Sequence, residues 1–176
     1  MLVQDFIDNC KSLVGQPYDL TDCIGVVRKA LGIQCQGTNW LWRSINNSAK
    51  YKYLTYRSTN FPSPLTPGTV LFKINFADIP AGYSDNPNCY HIGVVVDDGM
   101  VVDSTPKYGV RLRYINVGEW DAWGTLKQVE FPAFDIPEDD EDDDDEDDDD
   151  DIPPLRADAD DLLREIYRLI SDYLED

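Results

Sequence analysis

An unbroken acidic run constrains the architecture of this chain more than any other feature. Residues 138–151 are all Asp or Glu, and like charges at that density repel one another and cannot enter a packed core. Up to Asp135 the chain carries 13 acidic and 12 basic residues, so the formal net charge of −19 arises in the C-terminal part. The sequence therefore predicts a globular domain over residues 1–134, an acidic disordered linker over residues 135–154 and a separate segment over residues 155–176.

This last segment has the pattern of an amphipathic helix. Its apolar positions recur at helical spacing and are Leu162, Leu163, Ile166, Tyr167, Leu169, Ile170, Tyr173 and Leu174. An isolated helix of this length is marginal in water, so we expect it to self-associate or to dock on a partner. Acidic residues dominate its polar face, which argues against membrane binding. The acidic run itself is interpreted as a solvated spacer; calcium binding is the alternative, although a uniform run fixes no coordination geometry.

Charge and hydropathy exclude several classes of partner. The net charge of −19 argues against nucleic acid and against an anionic membrane. No stretch approaches the roughly 18 consecutive apolar residues of a membrane span. The first residues lack the basic segment and the apolar run of a signal peptide, so we expect synthesis in the cytoplasm.

Cysteine usage argues against disulfides and metal sites. The chain has four cysteines at irregular spacings, with no CxxC pair, and a single histidine. We expect the thiols to be reduced, and we expect no metal and no cofactor.

Hydrophobic periodicity predicts helices first and strands afterwards. The two predicted helices are residues 2–14, ending at Gly15, and about residues 23–31, capped by Thr21 or Asp22 and stopped by Gly32. The predicted strands are residues 69–74, 91–96, 100–105, 109–115 and 123–131. The aromatic-rich segment 34–64 stays unassigned, apart from a partly helical GTNWLWRSINN. This order predicts an α+β fold with N-terminal helices packed on an antiparallel β-meander.

Cys23 and His91 are the candidates for nucleophilic catalysis. Cys23 lies in the first turn of its predicted helix, where unpaired N–H groups and the helix dipole stabilise a thiolate. His91 opens a predicted strand, and a Cys–His pair needs a third group that orients the imidazole. Each residue taken singly is more often structural, so the prediction depends on the combination.

Asp103 is the predicted orienting residue. A two-residue turn between the strands would put His91 and Asp103 on opposite faces. A three-residue loop over 97–99, with Gly99 left-handed, pairs Gly93 with Asp103 instead. His91 and Asp103 then share a face, and Gly93 leaves the space between them open. The alternative for Asp103 is a solvated hairpin residue.

Five segments resemble the NlpC/P60 family of cysteine peptidases. DCIGVVRKALG resembles its D-C-S-G-hydrophobic motif, and GQPYDLT the preceding G-x-P-Y segment. LTPGTVLF, HIGVVVDDGMVVDS and YGVRLRYI resemble the L-x-P-G-D strand, the His-containing hairpin and the following G-V strand. Order and spacing agree over about residues 10–130. Two features depart from the pattern: Ile24 replaces the Ser after the nucleophile, and the usual Gly-Gly between Tyr18 and Cys23 is missing.

The resemblance implies a papain-like α+β fold and a D,L-endopeptidase. Such an enzyme hydrolyses peptide bonds in the stem peptides of bacterial peptidoglycan, typically after γ-D-glutamate. Carried over, Cys23 is the nucleophile, His91 the base, and Asp103 the third polar residue of the triad. Without an export signal, the protein is expected to be a phage or mobile-element product, delivered in a virion or released on lysis.

Four further residues are candidates for substrate contacts. Tyr18 matches the motif tyrosine expected near the thiol and the oxyanion, and Asp22 directly precedes the nucleophile. Trp40 and Trp42 are candidates for lining the substrate groove, with core packing as the alternative.

Three alternatives stay open at this point. The chain could be a catalytically weak NlpC/P60 fold that serves as an attachment or phage-particle assembly module through its acidic tail and C-terminal helix. It could be an amidase or acyltransferase that uses the same Cys–His pair. Cys89 could rival Cys23 as the reactive thiol, although it lies in a predicted loop without a helix terminus to activate it.

Overall fold

The computed structural model of the chain describes residues 1–47 and 52–132. The chain divides into two units, Met1–Phe134 and Asp135–Asp176, and all described residues lie in the first. The predicted acidic linker and C-terminal helix lie outside the described residues. Within the described ranges, no helix is long and apolar enough to cross a bilayer.

Three α-helices occupy the N-terminal third of the folded unit. They are α1 (Val3–Ser12), α2 (Cys23–Leu31) and α3 (Thr38–Arg43), and a 3₁₀ helix (Ser44–Asn46) follows α3. The bounds of α2 match the prediction, because Asp22 caps its start and Gly32 ends it at a φ of 66°. α1 is shorter than predicted, with Leu13 as its C-cap. α3 lies in the part of the middle segment where a helix was expected.

Six strands form one antiparallel sheet in the order β1-β6-β2-β3-β4-β5. The strands are β1 (Leu54–Ser58), β2 (Val70–Asn75), β3 (Asn88–Asp97), β4 (Met100–Thr105), β5 (Gly109–Tyr114) and β6 (Ala122–Leu126). The predicted α+β class with an antiparallel sheet is therefore confirmed.

The predicted meander holds for β2 to β5 and not for the last strand. After β5 the chain passes through a second 3₁₀ helix, Val117–Glu119, and β6 then pairs with both β2 and β1. β1 was not predicted, because Leu54 is its one buried residue and the strand shows no apolar alternation. β6 ends at Leu126 and not at residue 131.

The β3–β4 hairpin has the register that places His91 and Asp103 on a shared face. Gly93 pairs with Asp103 as predicted, and Gly99 is left-handed with a φ of 68°. The route to this register differs from the prediction: Asp97 pairs with Met100 across a two-residue connection, and an irregularity between Val95 and Asp97 supplies the shift that the predicted loop over 97–99 was expected to give. An irregularity in the pairing of β2 with β3 precedes His91, where Lys73 opposes His91 but Ile74 opposes Cys89. Such a bulge redirects side chains at the start of a strand.

The helices cover one face of the sheet, and the main core lies between them. It contains Phe6, Val26, Val27, Leu41, Phe72, Ile92, Val94 and other buried side chains from α1 to β6. Because neighbouring residues of a strand point to opposite faces, alternate residues of β2, β3 and β4 contribute to a second, smaller cluster. That cluster consists of Leu65, Leu71, Val95, Val101 and Trp120.

Candidate active site

Asp22 fixes the helix end that carries the thiol. Its carboxylate accepts a hydrogen bond from the Gly25 N–H at 2.7 Å and another from Nη2 of Arg28 at 3.0 Å. The cap satisfies one of the free N–H groups of the first turn. A Cβ on Gly25 would lie 2.6 Å from Oδ1 of Asp22, so this glycine is what lets the carboxylate close onto the helix. Cys23 is thereby held as the first residue of α2.

The environment of Cys23 favours its thiolate. The side chain is buried, and Sγ lies 3.8 Å from the Thr38 hydroxyl. Burial raises the pKa of the thiol, but the hydrogen bond and charge of His91, aided by Thr38, outweigh it and bring the pKa below its ordinary value. Cys23 is therefore predisposed to act as a nucleophile.

His91 lies between the thiol and a buried carboxylate. Its Nε2 is 3.3 Å from Oδ2 of Asp103, and Asp103 is fully buried. Because Nε2 faces Asp103, Nδ1 is the ring nitrogen that remains for Cys23. Burial lowers the pKa of His91, but its hydrogen bonds to Asp103 and Cys23 outweigh burial and raise it above the ordinary value. The structure thus brings the three predicted catalytic residues together: His91 contacts Asp103 and is electrostatically coupled to Cys23.

Two arginines of β5 also contact the carboxylate of Asp103. Nε of Arg111 lies 2.8 Å from Oδ1, and its Nη2 lies 3.4 Å from Oδ2. Nε of Arg113 lies 3.1 Å from Oδ2. Burial alone would raise the pKa of Asp103, but His91 and the two guanidinium groups outweigh it and hold that pKa well below its usual range. Asp103 is therefore an anion at neutral pH and not a solvated hairpin residue.

Trp120 fills the space that the sequence analysis left open beside Gly93. Its ring stacks on His91 with centroids 5.6 Å apart and planes 15° from parallel. A Cβ on Gly93 would lie 2.8 Å from Cη2 of Trp120 and 2.7 Å from Cγ2 of Val101. The absence of a side chain at Gly93 makes room for the indole, which stacks on the imidazole, while His91 and Asp103 remain in direct contact.

Tyr18 lies close to the nucleophile. Burial and the negative charges of Cys23 and Asp22 raise the pKa of its hydroxyl. The hydroxyl is therefore within electrostatic reach of the thiol. Tyr18 also lines a groove of about 560 Å³ between the loop of residues 15–19 and the turn of residues 106–109. Asp22, by contrast, is engaged as a helix cap and through Arg28.

The two tryptophans do not lie at the thiol. Trp42 is 6% exposed and packs edge-on against Phe72, with ring centroids 5.1 Å apart. It is a core residue, which corrects the expectation that it lines a substrate groove. Trp40 packs against Tyr53 at 5.0 Å and lines a different groove, whose lining includes neither Cys23 nor His91.

The other three thiols are buried and protonated. Burial raises the pKa of Cys35 to about 11 and also raises the pKa values of Cys10 and Cys89. Cys89 lies in β3 and not in the predicted loop, and its N–H donates to Oδ1 of Asn39 at 2.6 Å. A neutral, enclosed thiol is a poor rival to Cys23.

Four residues that contact the triad were not predicted from the sequence: Thr38, Arg111, Arg113 and Trp120. Arg111 could have been found, because it directly opposes Asp103 in the β4–β5 pairing and opposite charges across a strand pair attract. Arg113 follows on the same face of β5 by strand alternation. No sequence signal points to Trp120, which follows a 3₁₀ helix, or to Thr38, which begins α3.

The assembled groups can perform nucleophilic chemistry on a carbonyl. A thiol of lowered pKa at a helix N-terminus and an imidazole that faces a buried carboxylate are the groups that such chemistry needs. Among the described residues, no three or more His, Cys, Asp or Glu side chains are grouped so that they could hold a metal ion. Comparisons with protein-family models, with curated proteins and with solved structures each find no match to this chain.

Proposed function

We propose that the protein is a cysteine hydrolase with a papain-like fold, in which Cys23 is the nucleophile, His91 the general base and acid, and Asp103 the orienting carboxylate. The observation that carries this proposal is the position of His91 against the buried carboxylate of Asp103 and within electrostatic reach of the thiol of Cys23. His91 Nε2 lies 3.3 Å from Asp103, and the pKa of Cys23 is lowered chiefly by His91 against the opposing effect of burial.

The mechanism follows from the positions of these groups. The Cys23 thiolate attacks the carbonyl carbon of the scissile bond, and His91 then donates its proton to the leaving amine. Water attacks the acyl-enzyme with His91 as base, which releases the acid product and regenerates the thiol. The backbone N–H of Cys23, at the start of α2, and the Tyr18 hydroxyl are the proposed donors to the oxyanion.

The proposed substrate is a peptide bond in peptidoglycan stem peptides, after γ-D-glutamate. Support comes from the ordered resemblance of five segments to NlpC/P60 peptidases. Delivery in a virion or on lysis is part of the same proposal. The attachment-module alternative depends on residues 135–176, which lie outside the described residues.

The decisive experiment is digestion of purified peptidoglycan and soluble muropeptides under reducing conditions. We expect the wild-type protein to release stem-peptide fragments, which mass spectrometry assigns to one bond. Cys23→Ala should release none, because it removes the nucleophile. Cys35→Ala is the matched control: it removes a buried thiol that donates to the Gly37 carbonyl, and it should retain cleavage wherever the protein stays folded.

The products also separate the rival chemistries. Cleavage between the sugar and the first stem residue would identify an amidase, and a product joined to an added amine would identify an acyltransferase. Absence of any cleavage by folded, reduced wild-type protein contradicts hydrolysis of this substrate. Equal cleavage by Cys23→Ala contradicts the assignment of the nucleophile.

A further inference from the structure

Asp103 has more cationic partners than an orienting carboxylate needs. It is fully buried, yet it contacts His91 at 3.3 Å, Arg111 at 2.8 Å and Arg113 at 3.1 Å. Burying one carboxylate with two permanently charged guanidinium groups is costly unless each contact is well made. The orientation of the imidazole alone does not explain why two arginines contact Asp103.

We propose that Arg111 and Arg113 are positioning residues that set the basicity of His91 through Asp103. The use of this effect in catalysis rests on the proposed function, whereas the effect on the protonation of His91 does not. A carboxylate that faces only an imidazole stabilises the imidazolium with its full charge. Here the same charge is shared with two guanidinium groups, which also repel a proton on His91. The arginines thus lower the proton affinity of His91 relative to an unshared Asp–His pair.

The contact geometry adds a mechanical effect. Arg111 holds Oδ1 through Nε and Oδ2 through Nη2, so the carboxylate cannot rotate about its Cβ–Cγ bond without losing a contact. Oδ2 therefore stays directed at Nε2 of His91. For a cysteine hydrolase both effects are useful, because His91 must release its proton to the leaving amine and is most effective with a pKa near the working pH.

Other charged and titratable groups surround the pair from every neighbouring element. Arg111 and Arg113 of β5 contact Asp103, Lys73 of β2 lies opposite His91, and Cys23 at the start of α2 is coupled to His91. Asp22, Tyr18 and Cys89 act on Cys23, and Glu119 of the second 3₁₀ helix contacts Lys73 and Arg113. Glu119 lies 3.2 Å from Nη1 of Arg113, which offsets part of its charge. We therefore expect Arg111 to affect His91 more strongly than Arg113 does.

The test is a proton NMR titration of the imidazole in the full chain. The sequence has one histidine, so its ring signal needs no assignment and no substrate. We expect the His91 midpoint to rise by about one pH unit in Arg111→Gln and by less in Arg113→Gln. Arg111→Lys, which keeps the charge but not the two-point contact, should lie between Arg111→Gln and wild type. Asp103→Asn should lower the midpoint.

Lys107→Gln is the matched control. It removes a cation at the β4–β5 turn that contacts the Tyr108 ring and not Asp103, so the His91 midpoint should not move. Unchanged or lowered midpoints in both Arg111→Gln and Arg113→Gln would overturn the proposal, as would an equal rise in Lys107→Gln. If Arg111→Gln does not fold, the decision passes to Arg111→Lys and Arg113→Gln. A rise of the His91 midpoint in the arginine variants, together with wild-type protein that cleaves nothing, would support the coupling and contradict the hydrolase function.

Discussion

Gly93 shows at the scale of one residue what the sequence could and could not predict. Its pairing with Asp103 was predicted from the short connection and the left-handed Gly99, both of which are local features. The irregularity between Val95 and Asp97 that sets this register in the structure was not predicted. The neighbour on the other side of Gly93, Trp120, comes from a distant segment and could not be inferred from spacing. The prediction that Trp42 lines a substrate groove was wrong for the same reason. An aromatic residue in an unassigned segment gives no indication of the residues that it will pack against.

Gly93→Ala should destabilise the fold and disturb the plane of His91. The new methyl group would meet Val101 at 2.7 Å and Trp120 at 2.8 Å, so the indole must move out of its buried position. We expect a loss of about 1–3 kcal/mol in the free energy of unfolding, measured by urea denaturation. Gly118→Ala is the control, because its nearest outside contact would be Asn116 Oδ1 at 3.5 Å. Equal stability of the two variants would contradict this account of Gly93.

Among the secondary-structure elements, α2 lies where it was predicted, at about residues 23–31, because both of its boundaries are chemically marked. Asp22 supplies the cap, and Gly32 supplies the left-handed stop at a φ of 66°. β1 carries no such marks, since Leu54 alone is buried and the rest of the strand is exposed or half-buried. Its place in the sheet comes from pairing with β6, which is a long-range contact that local periodicity does not contain.

Asp22 allows the stability of α2 and the acidity of its thiol to be separated. Asp22→Ala removes the acceptor of the Gly25 N–H and should cost about 1 kcal/mol of unfolding free energy. The lost ion pair with Arg28 adds little, because both side chains are more than a third exposed. Asp22→Asn keeps the cap, so its stability should stay close to that of wild type.

Both Asp22 variants remove a negative charge that raises the pKa of Cys23. We therefore expect the pKa of the thiol to fall in each, measured from the pH dependence of its alkylation by iodoacetamide. A higher thiol pKa in Asp22→Asn would contradict the electrostatic effect, and a large loss of stability there would contradict the capping role.

For the whole molecule, helical periodicity followed by strand patterns predicted the α+β class, but the order of the strands in the sheet could not be predicted. Helical periodicity followed by alternating strands fixes which elements exist. It does not fix that β6 returns to lie between β1 and β2. The site followed the same rule: its three central residues lie in locally recognisable elements, whereas the groups around them were brought in by the tertiary fold.

The stability of the folded unit should fall in acid partly because of Asp103. Despite the opposing effect of burial, its folded pKa is held well below the unfolded value of about 3.9. Its contribution is therefore complete above that value and is lost progressively as the pH falls from it towards the folded pKa, about 1 kcal/mol of it by pH 3. Urea denaturation between pH 7 and pH 3 should show a steeper acid decline for wild type than for Asp103→Asn. Parallel pH profiles would contradict the coupling.

The position of β6 has a consequence for how the chain matures during synthesis. β1 lies at the edge of the sheet, and β6 is the strand that pairs with it among the described residues, with Leu54 opposite Leu126. A nascent chain therefore exposes β1 and one side of β2 until β6 has left the ribosome. Unpaired strand edges invite association between chains, and up to Asp135 the chain is close to neutral. The acidic run emerges just after β6, so electrostatic repulsion between nascent chains increases at about the time the sheet can close.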